Sequence, residues 1–135
     1  MISMELNEYH NAAMATRLPS SDNFCYMMFG LVEEVGELAG KISKGIRKGI
    51  SCIGLDGALA NQVEEGDVMA NDIYFLDQAE YQREAIKKEL GDVMWMVAGL
   101  ADEFGWSLED VCEENLRKLA DRKKRGVVDG SGDNR

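Results

Sequence analysis

The sequence predicts an all-α protein of four main helices, on three observations. Proline occurs once in 135 residues, at Pro19, so almost nothing obliges a helix to break. Two long segments, near 24–47 and 78–104, place their apolar residues at helical spacing along one side. Residues suited to capping and stopping helices stand where those segments would begin and end.

The first helix is expected over 4–17, where Met4, Leu6, Tyr9, Ala13 and Met14 give a loose apolar face. Leu18-Pro19-Ser20-Ser21-Asp22-Asn23 reads as a loop, and Ser21, Asp22 or Asn23 can cap the next helix. This second helix runs from about Phe24 to Arg47. Lys41, Lys44, Arg47 and Lys48 gather toward its end, where cations complement the helix dipole, and Gly45 and Gly49 suit termination. Residues 49–77 interrupt the pattern with Gly54, Gly57, Gly66 and scattered acids, relieved by the cluster Ile73-Tyr74-Phe75-Leu76. A connection of this length is unusual in a compact domain. The third helix is expected from about Gln78 to Phe104, stopped by Gly105. Ser107 then caps a fourth that reaches about Arg125, with Asp110 in the acid position of a capping box and Val111, Leu116 and Leu119 as an apolar edge. The organisation is therefore one domain over 1–125 with an insertion at 49–77, followed by a Gly- and Asp-rich tail, 126–135, expected to be mobile.

Two acidic motifs lie in the apolar helices: Glu33-Glu34-Val35-Gly36-Glu37 and Glu89-Leu90-Gly91-Asp92. In each, two carboxylates stand three residues apart, about 60° apart around a helix axis. With Glu34 at zero, Leu38, Leu31, Ile42, Val35, Met28, Ala39 and Val32 fill an arc of roughly 40° to 160°. With Glu89 at zero, the third helix repeats this layout from Leu100 and Val93 round to Leu90 and Met94. Each acid pair thus borders an apolar face, and packing the two faces together would bring four carboxylates to one cleft. Like charges so placed repel. A divalent cation removes the conflict, and hard oxygen ligands suit Mg²⁺ or Mn²⁺.

The two acid motifs, together with Val35-Gly36-Glu37-Leu38-Ala39, Glu89-Leu90-Gly91-Asp92-Val93 and the segment Asn115-x-x-Lys118-x-x-x-Arg122, resemble the MazG-like all-α nucleoside triphosphate pyrophosphohydrolases. The likeness covers about residues 24–125; the long 49–77 connection departs from the family's tighter one. The resemblance implies a helical bundle completed by oligomerisation, as a homodimer or homotetramer. It implies Mg²⁺-dependent cleavage of a nucleoside triphosphate between its α- and β-phosphates, giving monophosphate and pyrophosphate. By motif match Glu34, Glu37, Glu89 and Asp92 are the metal ligands. Glu33 remains open between general base for the attacking water, ligand of a further ion, and plain surface glutamate. Lys118 and Arg122, four apart on one helix face with Asn115 beside them, are expected to hold phosphate, as is Lys41.

Composition narrows the alternatives. The net charge is −10, from 25 acids against 15 bases, which disfavours nucleic acid or an anionic membrane as partner of the whole surface. Cys25, Cys52 and Cys112 are widely spaced and there is one histidine, His10, so a zinc site does not assemble from this inventory. The cysteines are expected as small buried apolar residues, and Trp95 and Trp106 as packing residues. A di-iron bundle needs Glu-x-x-His pairs that are absent, and Gly66-Asp67 does not fit an EF-hand loop. The acidic start lacks the features of a signal peptide, and the longest apolar run, Val93–Ala101, is too short to span a bilayer. A cytoplasmic enzyme serving nucleotide-pool housecleaning is the expectation. The alternative is a non-catalytic helical scaffold or nucleotide sensor.

Overall fold

A computed structural model of the chain describes residues 3–48 and 70–129, with the backbone alone for 70–79. Among the described residues all regular structure is α-helical: α1 Leu6–Met14, α2 Phe24–Arg47, α3 Ala70–Glu103 and α4 Leu108–Arg125. This is the expected all-α class. None of these helices is long and apolar enough to cross a membrane. The chain divides into two compact units, one from 1–27 with 97–135 and one from Met28–Met96.

Two helix boundaries differ from the sequence reading. Helix α1 is shorter than 4–17. Glu5 is extended and its N–H donates to Glu8 Oε2 at 3.1 Å, which starts the helix at Leu6. At the other end Thr16 donates both its N–H and its hydroxyl to the Ala13 carbonyl, and a threonine that bonds the backbone this way closes a helix. Helix α3 begins eight residues earlier than expected, at Ala70. No glycine or proline occurs between Gly66 and Gly91, so the helix of the acid motif extends back through Ile73-Tyr74-Phe75-Leu76. The expected insertion therefore shrinks by its last eight residues; 49–69 lies outside the described residues, as does most of the 126–135 tail.

In the first unit α1 packs on α4, and Met27 and Leu108 are fully buried. Asn23 caps α2, its Oδ1 accepting from the Tyr26 N–H at 2.8 Å. Ser107 and Asp110 form the expected capping box on α4, at 3.1 and 2.9 Å. Those bonds hold the exposed Asp110 carboxyl below its usual range. Between α3 and α4, Gly105 takes φ +73°, the Gly105 N–H donates to the Asp102 carbonyl and the Trp106 N–H to Ala101, which terminates α3 as a Schellman motif. Phe104 stacks on Trp106 at 4.8 Å and meets Phe24 edge-on at 5.8 Å. Cys25 is exposed, contrary to expectation, because in this first turn of α2 it is Met27 that points inward; Cys112 is half-buried.

A polar network ties the loop after α1 to the end of α3. Arg17, 12% exposed, pairs with Asp102 at 2.5 Å, Glu103 at 3.2 Å and Asp22 at 3.1 Å. His10 Nε2 lies 3.2 Å from the other Asp102 oxygen, and His10 Nδ1 accepts the Leu108 N–H at 3.2 Å. Nδ1 is therefore the bare nitrogen and Nε2 carries the proton toward Asp102. Arg17→Ala leaves Asp102 and Glu103 side by side without their shared cation. The expected loss is about 1–3 kcal/mol of unfolding free energy in urea, against no more than a few tenths for Arg125→Ala on the α4 surface.

Candidate metal centre

The second unit pairs the rest of α2 with α3 in antiparallel order. Its register can be read from three contacts at successive levels: Gly30 against Met96, Glu34 beside Glu89, and the Lys41 carbonyl accepting from Gln82 Nε2 at 2.7 Å. Gly30 lets the Met96 side chain lie close against α2, since a Cβ there would stand 2.5 Å from Met96 Cε and would push that side chain aside. Leu31, Leu38 and Ile42 of α2 and Ile86 and Val93 of α3 are half-buried along the seam. These residues occupy roughly 40° to 80° from Glu34 and from Glu89 on their helices. The rest of each apolar arc stays outside. Val32 is 61% exposed and Val35 48% on α2, and Leu90 is 49% exposed on α3. Glu34 and Glu89 therefore sit within the seam rather than bordering a fully packed face.

Three carboxylates converge there. Oxygens of Glu34, Glu89 and Asp92 all lie within 4.8 Å of one another, with Glu34 and Glu89 half-buried and Asp92 exposed. Burial in the seam pushes the Glu34 carboxyl up, and the charges of Asp92, Glu37, Glu89 and Glu33 push it further. Glu37 and Glu33 are exposed on α2 and stand outside the trio, although both charges reach Glu34. One cation enters the group directly: Lys41 Nζ lies 3.2 Å from Glu89 Oε1.

These residues fit a divalent metal. Oxygens around an octahedral Mg²⁺ at 2.0–2.1 Å are separated by about 3 Å when adjacent and about 4.2 Å when opposite. The trio is thus already near coordinating distance, and small side-chain rotations close the remainder. The donors are all hard oxygens, and Glu34 is held up first by its burial and then by the four acids around it.

The other predicted contacts lie in the first unit. Asn115 and Lys118 line a cavity of about 430 Å³ with Trp106, Asp110, Val111 and Glu114. Arg122, on the same helix, is 5% exposed. Trp106 keeps 53% of its surface exposed while stacking on Phe104. The sequence points to core or interface packing for Trp106; its spacing from Asp110 across the Ser107 cap is the signal that it shares a surface with Asn115 and Lys118. The Lys41–Glu89 pair was also missed, since the local pattern offers Lys41 a partner four residues back, at Glu37.

A helical pair with three converging carboxylates defines this all-α protein as one with a candidate divalent-metal centre. The family model of the MazG nucleotide pyrophosphohydrolase domain matches residues 25–127, and the chain belongs to that family. It is also similar to the Gene 37 protein of Mycobacterium phage L5, 37% identical over 116 residues, which are 86% of this chain and 80% of that protein. No solved structure matches the chain. Family membership places it among hydrolases acting on nucleotide phosphoanhydrides, in a family that is typically metal-dependent.

Proposed function

We propose that the protein is a Mg²⁺-dependent nucleoside triphosphate pyrophosphohydrolase that releases monophosphate and pyrophosphate from a (deoxy)nucleoside triphosphate and serves to clean the nucleotide pool in the cytoplasm. Mn²⁺ is a workable substitute, having the same preference for oxygen donors. The observation that carries the reading is the trio Glu34, Glu89 and Asp92, held within 4.8 Å in an apolar seam of a MazG-family chain.

Glu34, Glu89 and Asp92 would hold the metal, and Glu37, one turn along α2, would complete the set by side-chain rotation. When bound, the ion supplies charge neutralisation for the phosphates and lowers the pKa of a bound water. Glu33 takes the proton of the attacking water, since it is exposed, adjacent to Glu34 and outside the ligand trio. Asn115, Lys118 and Arg122 contact the nucleotide, and Lys41 meets its phosphates. Phosphoryl transfer asks the protein mainly for position and charge, which is what these residue types provide.

The exposed arcs of α2 and α3 support assembly as a homodimer or homotetramer. Met28, Val32, Val35 and Ile46 share one side of α2, and Leu90 and Met94 one side of α3, all at least 38% exposed. Apolar residues aligned in this way mark a surface awaiting a partner. Light scattering should give a multiple of the 15.0 kDa chain mass, and Val32→Glu combined with Val35→Glu should lower it. A monomeric mass for the unaltered chain would contradict this.

The activity is tested by measuring pyrophosphate release across canonical and modified nucleoside triphosphates, with and without chelator. Release from a subset that stops on chelation is expected. A folded protein that binds Mg²⁺ and nucleotide but turns over none of them would mean a nucleotide sensor instead.

A further inference from the structure

Among the described residues Lys41 is the cation that contacts the acid cluster, and its position is fixed from two sides. Gln82 holds its carbonyl at 2.7 Å, which fastens this level of α2 to α3. Helical side chains tilt toward the N-terminus of their helix, so Lys41 runs back past Glu37 toward the level of Glu34. There it meets Glu89 across the seam at 3.2 Å rather than Glu37 on its own helix. The two partners differ in environment: the Glu89 side chain is 12% exposed and that of Lys41 42%. Lysine is also the cation best suited to changing partners, with one point charge on a flexible stem.

A metal held by Glu34, Glu89 and Asp92 needs the same Glu89 carboxylate. We propose that Lys41 is a built-in competitor for the metal: it neutralises Glu89, a divalent cation must displace it, and its displacement sets the affinity of the centre. This rests on the metal reading above and adds to it a positioning residue that tunes metal affinity. The pair is partly open to water, so the competition is worth about two- to fivefold in affinity.

The test is a calorimetric titration of Mn²⁺ into the full chain and into Lys41→Met and Lys44→Met, which remove the same charge from the same helix. Lys41→Met is expected to bind Mn²⁺ two- to fivefold more tightly, and Lys44→Met to bind as the unaltered chain does. In the unaltered chain the Lys41 side-chain NMR resonances should shift on saturation with Mg²⁺ while those of Lys44 stay in place. Equal tightening in both variants, weaker binding in Lys41→Met, or an unmoved Lys41 resonance at saturation would each overturn the proposal. Absence of Mn²⁺ binding in all three proteins would overturn the metal reading itself, so the two failures are distinguishable.

Discussion

Asp92→Asn should reduce Mg²⁺-dependent hydrolysis by about three orders of magnitude while leaving the helical circular dichroism and oligomer mass unchanged. Asp92 is the exposed member of the trio, so the change removes a charge without emptying any of the core. Its amide oxygen still occupies the ligand position but carries no formal charge. Mn²⁺ affinity should therefore fall along with turnover. Glu37→Gln should act in the same direction, as it removes one of the four charges that bear on Glu34. Full activity in either variant would contradict the metal assignment. Retained metal affinity with lost turnover would shift Asp92 from ligand to proton transfer.

Glu34→Gln should separate stability from function. In the metal-free protein Glu34 is disfavoured as a carboxylate by burial and by four neighbouring acids. Glutamine keeps the shape and removes the repulsion, so the variant should gain about 0.5–1 kcal/mol near neutral pH and lose activity. The pH dependence has a definite sign. A carboxyl whose pKa is raised on folding contributes stability that is complete below its unfolded pKa and lost as pH rises through the folded value. Urea unfolding in chelator should thus show the unaltered chain losing stability as pH rises from the ordinary glutamate range toward neutrality, with a flatter profile for Glu34→Gln. Mg²⁺ should reverse that loss in the unaltered chain alone. Identical profiles for both proteins would mean that Glu34 bears no excess of negative charge.

Local signals made much of the fold legible. The bounds of helix α2 are legible in the capping candidates Ser21, Asp22 and Asn23 and in its basic end, and the start of α4 in the Ser107–Asp110 pair, because caps are written in adjacent residues. The start of α3 was missed for the opposite reason. Scattered acids and the glycines before residue 67 suggested a loop, yet nothing after Gly66 stops a helix until well past the acid motif. The two matched spacings point to four carboxylates at one place, since a helix converts spacing into direction; Glu34, Glu89 and Asp92 converge, and Glu37 stands outside them. How deep the trio sits is not legible there, because an arc from about 40° to 160° does not say which half meets a partner. The seam took the half nearest the acids and left Val32, Val35 and Leu90 outside. Lys41 shows the same limit: its i, i+4 neighbour is Glu37, but the register of α2 on α3 gave it Glu89 instead.

The most direct measurement is ³¹P NMR of the products formed from a nucleoside triphosphate with Mg²⁺. The account predicts equal amounts of nucleoside monophosphate and pyrophosphate, with neither formed in excess chelator. Nucleoside diphosphate with orthophosphate, or the same products undiminished by chelation, would contradict it.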